Sequence, residues 1–265
     1  MFKTVLLITT YNSPQALRCV FDSVMSQTMM PDEVVIADDG SADSTKEVID
    51  AFRRCYGGTV RHVWHADEGF RKTVILNKAV AATKADYIME VDGDIILDPH
   101  FVADQVANAS QGVFVCGMRA YLPENVTSAM LAGDMSLFAG VRTPGLGRRI
   151  CARRIPWLSP LFRSRHSRST RQCMGSHMAY WRSDFIRVNG YDEDIIGWGT
   201  EDREFARRLL NAGVRRRTLR FAAIEYHLWH KVNSNPIDTE RNNRIFREAV
   251  ESGRVWADNG VDKYL

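Results

Sequence analysis

Two aspartates separated by one glycine, Asp92 and Asp94, stand directly after an apolar run at residues 87–91. If that run is a strand, carboxylates two positions apart leave it on the same side, and Gly93 lets the backbone bend between them. Carboxylate oxygens are preferred ligands of Mg²⁺ and Mn²⁺, and such an ion could bridge a diphosphate. The same triplet is also common in simple turns. Its position after a strand-like run favours the metal interpretation.

A second acidic pair, Asp38 and Asp39, follows the apolar run at residues 33–37 and precedes Gly40 and Ser41. A carboxylate at such a strand end could accept hydrogen bonds from a base N–H or a ribose hydroxyl. The alternative is a turn that caps the following helix. The sequence contains neither of the glycine-rich phosphate loops typical of dinucleotide-binding proteins and P-loop NTPases, which argues against both of those classes.

A tryptophan between two glycines, at residues 197–199, is followed closely by Glu201 and Asp202. The glycines let the chain turn sharply and expose the indole face, which suits stacking on a sugar ring. The two carboxylates begin a predicted helix near its positive end, where acidic residues are favourable for structural reasons alone. They also offer a general base and a partner for a substrate hydroxyl.

Alternating strands and helices must position these residues. Apolar runs and helical spacing predict strands at 5–9, 33–37, 60–64, 87–91 and 113–118, and helices at 14–27, 43–56 and 73–83. This alternation is typical of a mostly parallel sheet with helices on both faces. Thr10, Tyr11 and Asn12 follow the first strand, so three polar clusters converge on the sheet edge where ligands bind.

The second half of the chain is less regular. Residues 142–171 contain nine arginines and no acidic residue, and their prolines and glycines predict an irregular insertion or a mobile lid. The other predicted elements are a helix near 128–138, ordered structure at 176–181, a helix at 201–212, a strand at 221–226 and a helix from about 238. The last strand leads directly to His227 and His230.

Composition narrows the class of protein. A chain of 265 residues, 45% hydrophobic and 25% charged, is long enough for one domain with a large core. The net charge of +3 is unevenly distributed along the chain. Residues 1–134 carry 11 basic and 18 acidic groups, whereas residues 135–265 carry 24 basic and 14 acidic groups. No apolar run reaches the roughly 18–20 residues of a membrane span, and the first run is too short for a signal peptide. Five scattered cysteines without Cys-x-x-Cys spacing predict neither a disulfide framework nor a zinc site, which favours a reducing cytoplasm.

In their order along the chain, these motifs resemble those of the family 2 glycosyltransferases. The resemblance spans about residues 4–230 and rests on residues 11–12, 38–41, 69–71 with Asn77, 92–94, and 189–193 leading to 197–202. The later motifs are similar to the galactosyltransferase and chondroitin-synthase-related branch. The resemblance implies a GT-A-type, Rossmann-like α/β fold in a single domain, with residues 1–118 binding the donor and residues 119–265 binding the acceptor. It further implies a UDP-sugar donor, Mn²⁺ or Mg²⁺ as cofactor, and inversion at the anomeric carbon.

The resemblance also implies a role for individual positions. Asp202 matches the catalytic base and Glu201 a contact to acceptor or donor sugar. The implied metal ligands are Asp94 and His227, with Asp92 and His230 as less favoured candidates that could instead meet ribose and phosphate. The implied donor contacts are Thr10, Tyr11, Asn12, Asp38, Asp39, Arg71, Asn77, Asp92 and Gly93. The implied acceptor or sugar contacts are Gly175, Ser176, His177, Trp198 and Gly199.

The implied activity is transfer of Gal, GalNAc, Glc or GlcNAc to a hydroxyl of a cell-surface glycan or lipid-linked saccharide, as in polysaccharide or lipopolysaccharide biosynthesis. Two other functions stay open. A catalytically silent glycan-binding relative would have lost some of Asp94, Asp202 and His227, and all three are present. A sugar nucleotidyltransferase usually opens with a glycine-rich loop containing a basic residue, which residues 9–14 do not supply.

The arginine-rich segment 142–171 is not part of the family pattern, so the acceptor cannot be transferred from relatives. It could be a solvated loop, a site for a phosphorylated or acidic glycan, or a contact with an anionic membrane. In the membrane alternative, a cytoplasmic protein would lie at the inner face of the cytoplasmic membrane. The residues that would meet the lipid surface are Trp157, Leu158, Leu161 and Phe162 among Arg153, Arg154, Arg163 and Arg165. Aromatic residues do not alternate with the basic ones, which argues against nucleic acid.

Overall fold

A computed structural model describes residues 2–162, 169–231 and 236–265. The strands are β1 (Thr4–Thr10), β2 (Glu33–Asp38), β3 (Thr59–Trp64), β4 (Tyr87–Asp92), β5 (Ile95–Leu97), β6 (Val113–Cys116), β7 (Arg119–Tyr121), β8 (Met178–Trp181), β9 (Arg215–Thr218) and β10 (Glu225–His227). The helices are α1 (Pro14–Met25), α2 (Asp43–Cys55), α3 (Lys72–Ala82), α4 (Phe101–Asn108), α5 (Glu124–Leu131), α6 (Arg182–Arg187), α7 (Glu201–Asn211) and α8 (Pro236–Ser252).

The central sheet has seven strands in the order β3-β2-β1-β4-β8-β6-β9. All its neighbours run parallel except β8, which is antiparallel to both β4 and β6. Every residue of β1 and β2 is buried, as expected for central strands that helices cover on both faces. The predicted mostly parallel α/β fold is therefore confirmed.

Side chains alternate across the sheet and fill two separate cores. Leu6 and Ile8 pack on one face with residues of α1 and α2, whereas Val5 and Leu7 pack on the other with residues of α3 and α7. This alternation is the two-residue period of a strand. Because both faces are filled, β1 and its neighbours form a rigid support for the loops at their carboxyl ends.

The register of the parallel strands brings the predicted polar clusters together. Thr10 lies opposite Asp38 across the β1–β2 pair, and Thr9 lies opposite Asp92 across the β1–β4 pair. Three strand ends therefore meet at one edge of the sheet, as the sequence predicts.

A second, three-stranded sheet, β5-β10-β7, stands next to this edge. It pairs His227 with Ile95, and the Leu228 backbone N–H donates to the Asp94 carbonyl at 3.0 Å. The predicted strand at 221–226 is wrong in its bounds, because Phe221 and Ala223 adopt left-handed backbone conformations that interrupt an extended chain. The strand that does form, β10, is the element that carries His227 to Asp94.

The arginine-rich segment 142–171, called the basic segment below, is largely irregular. In its described part, the regular structure consists of 3₁₀ turns of three or four residues. Gly147 pairs with Tyr121 of β7, and Arg154 makes a bidentate ion pair with Asp104, at 2.7 and 2.8 Å. These contacts fix the segment to the rest of the fold. Arg163, Arg165 and Arg168 lie outside the described residues.

The helix predicted at 128–138 begins and ends earlier, at Glu124–Leu131, because Gly133 with φ +89° turns the chain after it. In the described part of the chain, none of the helices combines the length and the apolar character needed to cross a bilayer.

Candidate active site

A cavity of about 870 Å³ opens at the sheet edge where the three strand ends meet. Its walls come from the ends of β1 and β4, from β7, from the first turn of α7 and from the loop after β10. The predicted site residues on its walls are Thr10, Tyr11, Asp39, Asp92, Gly93, Asp94, Ser176, Trp198, Gly199, Glu201, Asp202, His227 and His230. Residues from both halves of the sequence therefore form one site.

Asp94, His227 and His230 form a candidate metal centre in this cavity. Asp94 Oδ2 lies 3.4 Å from His227 Nε2 and 3.1 Å from His230 Nε2, and one ligand atom of each residue lies within 4.8 Å of the others. Asp94 Oδ1 is buried and has no hydrogen-bond partner among the described residues. Burial lowers the pKa of His227, whereas the hydrogen bond to Asp94 raises that of His230 to about 9.

This set of ligands fits a divalent ion. One carboxylate and two imidazoles form a mixed oxygen and nitrogen set, which suits a first-row transition ion better than Mg²⁺. The close approach of residue 93 to the end of β1 requires a glycine, because a Cβ at this position would lie 2.5 Å from the Thr9 carbonyl oxygen. The structure brings His230 as close to Asp94 as His227, although the sequence pattern favours His227.

Asp92 faces a different partner, Lys72, which belongs to none of the motifs in the sequence. Lys72 Nζ donates to Asp92 Oδ1 at 2.7 Å, and the Thr9 hydroxyl donates to the same oxygen at 2.9 Å. Burial alone would lower the pKa of Lys72, but Asp92, Asp202 and Glu201 raise it well above its ordinary value. Lys72 is thus a charged amine that neutralises part of an acidic cavity.

Glu201 and Asp202 occupy the first turn of α7, as predicted. Burial and then the neighbouring Asp202 raise the pKa of Glu201 to about 7, and burial raises that of Asp202 while Lys72 opposes the shift. Asp202 Oδ1 is buried without a hydrogen-bond partner in the part of the chain that the structure describes. Asp202 also lies on the cavity wall, where its carboxylate can meet a substrate hydroxyl.

Gly175 lies behind this carboxylate rather than on the cavity wall. A Cβ at position 175 would come within 2.5 Å of Asp202 Oδ1 and 2.9 Å of Glu90 Oε1. Tyr180 and Tyr191 donate hydrogen bonds to Glu90 at 2.8 and 3.0 Å, and burial raises the pKa of Glu90 to about 8. Gly175 therefore leaves the space in which Asp202 is held.

The two aspartates after β2 have different surroundings. Both oxygens of Asp38 are engaged inside the fold, by the Ser41 backbone N–H at 2.8 Å and by His62 at 2.8 Å. Asp39 lies on the cavity wall, where His65 and the Arg71 backbone N–H contact it at 2.7 and 2.9 Å. Of the two, Asp39 is the carboxylate that lies where a molecule in the cavity could contact it.

The other predicted donor contacts also divide into residues on the cavity wall and residues engaged inside the fold. Tyr11 lies on the wall and donates its hydroxyl to Asp67 at 2.8 Å. Asn12 accepts from the Ala42 backbone N–H at 2.9 Å, and Asn77 is fully buried, where it hydrogen-bonds Tyr191. Asn12 and Asn77 thus support the loops beside the cavity.

Among the predicted acceptor contacts, Trp198 is half-exposed on the wall and Ser176 accepts a hydrogen bond from Arg119 at 2.6 Å. His177 is buried away from the wall, with Nδ1 3.1 Å from Glu225 Oε2. Burial raises the pKa of Glu225 to about 7. Arg119, like Lys72, is a cationic residue on the cavity wall that belongs to no recognisable sequence motif.

Comparison with known proteins gives matches over most of the chain. The model of glycosyl transferase family 2 matches residues 5–183, and a model described as the N-terminal domain of galactosyltransferase matches residues 162–231. The chain is 24% identical over 236 residues to a chondroitin synthase of Escherichia coli, covering 84% of this chain and 34% of that protein. It is 26% identical over 231 residues to a validoxylamine A glucosyltransferase of Streptomyces hygroscopicus subsp. limoneus, covering 78% and 48%. The chain therefore spans less than half the length of these relatives.

Solved structures share the fold at low sequence identity. Staphylococcus aureus TarS 1–349 in complex with UDP superposes with a TM-score of 0.64 at 18% identity, covering 99% of this chain and 68% of that one. GalNAc-T7 with UDP, GalNAc and Mn²⁺ superposes with a TM-score of 0.68 at 15% identity, covering 96% and 50%. With a family model matched over more than half of its residues, the chain belongs to glycosyltransferase family 2 and has the GT-A fold.

Proposed function

We propose that this chain is an inverting glycosyltransferase that transfers a hexose or N-acetylhexosamine from a UDP-sugar to a hydroxyl of a cell-surface glycan or lipid-linked saccharide. The observation that carries the proposal is the shared cavity, which contains a candidate cation-binding set, Asp94, His227 and His230, together with a second carboxylate, Asp202, on the same wall. A diphosphate leaving group and an acceptor hydroxyl need these two kinds of group in one place.

Asp202 acts as the general base in this mechanism. Its carboxylate removes the proton from the acceptor hydroxyl as that oxygen attacks the anomeric carbon from the face opposite UDP. The anomeric carbon–phosphate oxygen bond breaks with both electrons passing to UDP, so the configuration inverts. The raised pKa of Asp202 suits this role, because burial makes the carboxylate a stronger base than an exposed aspartate.

The donor side of the cavity combines one acidic and two basic groups. Asp39 offers an acceptor for a base N–H or ribose hydroxyl, as acidic groups after strands do in nucleotide-binding sheets. Lys72 and Arg119 place positive charge on the wall beside Asp92 and Asp94, where the diphosphate would lie. A Mn²⁺ or Mg²⁺ ion held by Asp94, His227 and His230 would, when bound, supply Lewis-acid stabilisation of the departing diphosphate.

Solved relatives support UDP as the nucleotide. TarS 1–349 has been solved with UDP and with UDP-GlcNAc, and GalNAc-T7 with UDP, GalNAc and Mn²⁺. A mannosyltransferase of Pyrobaculum calidifontis with GDP-Man and Mn²⁺ shares the fold too, so a guanine nucleotide is the alternative to test. The relatives that act on polysaccharides, chondroitin and hyaluronan synthases, support a saccharide acceptor.

Nucleotide release from a panel of donors tests this proposal. UDP-Gal, UDP-GalNAc, UDP-Glc, UDP-GlcNAc and GDP-mannose are incubated with the chain and Mn²⁺, with and without oligosaccharide acceptors. We expect UDP release from one UDP-sugar that EDTA abolishes and Mn²⁺ restores. Calorimetric binding of UDP, measured in parallel, separates a missing acceptor from a missing donor site. Absence of both UDP binding and UDP release would contradict the proposal.

A further inference from the structure

The basic segment carries two large apolar side chains that protrude into solvent. The side chains of Trp157 and Leu161 are 77% and 76% exposed, more than any other large hydrophobic residue in the described part of the chain. Successive tight turns link them, with Ser159 N–H donating to the Pro156 carbonyl at 3.2 Å and Leu161 N–H to the Leu158 carbonyl at 3.0 Å. Leaving two such side chains in water is unfavourable unless a partner covers them.

The exposure follows from how the segment is anchored. Arg154 holds the chain to Asp104 by the bidentate ion pair, and the Ile155 N–H donates to the Phe221 carbonyl at 2.8 Å. Ser159, which lies between Trp157 and Leu161 in the sequence, is buried. The inward-facing residues therefore fix the backbone, and the same turns direct Trp157 outward.

The charge of the segment indicates which kind of partner covers the tip. Residues 142–171 contain nine arginines and no acidic residue. Arg153, four residues before Trp157 in the sequence, is also exposed. Tryptophan and leucine next to arginine suit a bilayer interface, where the apolar groups enter the acyl boundary and the guanidinium groups meet lipid phosphate. Each basic residue at an anionic surface strengthens binding roughly fivefold.

We propose that Arg153, Trp157 and Leu161 form a docking surface for an anionic lipid bilayer. The segment that carries this surface also touches the cavity wall, because its Gly147 pairs with Tyr121, whose ring lies 5.6 Å from the His227 ring. Arg148 covers the same tyrosine ring at 5.1 Å. If the proposed function is correct, docking brings the cavity to a lipid-linked acceptor; the docking itself does not depend on it.

Vesicle flotation without donor or metal tests the surface. Vesicles of phosphatidylcholine with about one quarter phosphatidylglycerol, and of phosphatidylcholine alone, are mixed with the whole chain at about 150 mM NaCl. We expect flotation with the anionic vesicles that high salt weakens. The double variant Trp157→Glu/Leu161→Glu should lower the partition coefficient at least about tenfold.

The control Val250→Glu/Leu265→Glu makes the same change of charge at two exposed apolar positions elsewhere and should float like the unchanged chain. The circular dichroism spectrum and the urea midpoint of each variant verify that the fold is intact, independently of the proposed function. Flotation that survives the double substitution, or no flotation of the unchanged chain, overturns the docking surface. Binding to soluble dextran sulfate without flotation would assign the arginines to an anionic glycan and also overturn it.

Discussion

Replacement of Lys72 by methionine removes the amine that neutralises the acidic cavity while keeping a side chain of similar length. Lys72 Nζ lies 2.7 Å from Asp92, and their side chains are 13% and 27% exposed. Loss of one partner costs about 3–5 kcal/mol for a fully buried pair and under about 1 kcal/mol at a surface. This pair lies between those limits, so we expect a loss of about 2 kcal/mol in the free energy of unfolding.

The same variant should change how the rate depends on pH. Asp202 must be ionised to accept a proton, and Lys72 opposes the rise that burial causes in its pKa. Without the amine the pKa of Asp202 rises further, so the acid limb of kcat/KM moves to higher pH. A Coulomb interaction of about 1–2 kcal/mol at an effective dielectric constant near 20 corresponds to roughly 5- to 30-fold in the protonation equilibrium. The activity lost on the acid limb should be recovered as the pH rises.

The assay is kcat/KM for UDP release between about pH 5 and 9. In Lys72→Arg, which keeps the charge, the acid limb of kcat/KM should shift less from its position in the unchanged enzyme than in Lys72→Met. Lys84→Met makes the same change at an exposed position and should leave the profile unaltered. An acid limb of Lys72→Met that coincides with that of the unchanged enzyme would refute the assigned interaction between Lys72 and Asp202.

Two further substitutions probe the supports of the site and the core. Gly175→Ala places a methyl group 2.5 Å from Asp202 Oδ1, and a base displaced by about 1 Å can lose roughly a hundredfold in kcat. We expect that loss with UDP binding preserved. Gly57→Ala is the control, because nothing lies within 4 Å of a Cβ at that position. Arg208→Met breaks a fully buried bidentate pair, with both bonds at 2.7 Å, and should lower the free energy of unfolding by about 3–5 kcal/mol in urea, whereas Arg53→Met on an exposed pair should cost under about 1 kcal/mol. The packing described would be contradicted by equal losses of kcat in Gly175→Ala and Gly57→Ala. Equal losses of unfolding free energy in Arg208→Met and Arg53→Met would also contradict it.

The elements of the first ninety-two residues were predictable because each has a strong local signal. β1 and β2 are unbroken apolar runs, and α1 and α2 have regular helical spacing between clear turn residues. The strands that were missed, β5, β7 and β9, have three or four residues each. β9 reads Arg-Arg-Arg-Thr and is a strand because β6 pairs with it, a long-range cause that local sequence does not contain.

The candidate site divides in a similar way. Asp94, Asp202 and His227 follow recognisable motifs, and the structure brings all three to one cavity. Lys72 has no motif, because at the start of α3 it resembles any exposed helical lysine until the fold places Asp92 beside it. Asp38 has the motif but faces inward, since His62 of the neighbouring strand binds it. Which of two adjacent carboxylates faces a cavity depends on such neighbours.

The central claim is that Asp202 is the base of a transfer reaction in a cavity that binds UDP. The most direct test measures kcat for UDP release and Kd for UDP in Asp202→Asn, with Asp258→Asn at an exposed position as the matched control. We predict a kcat about 10²- to 10⁴-fold lower in Asp202→Asn with an unchanged Kd, and no effect of the control substitution. A kcat of Asp202→Asn close to that of the unchanged enzyme would contradict the claim.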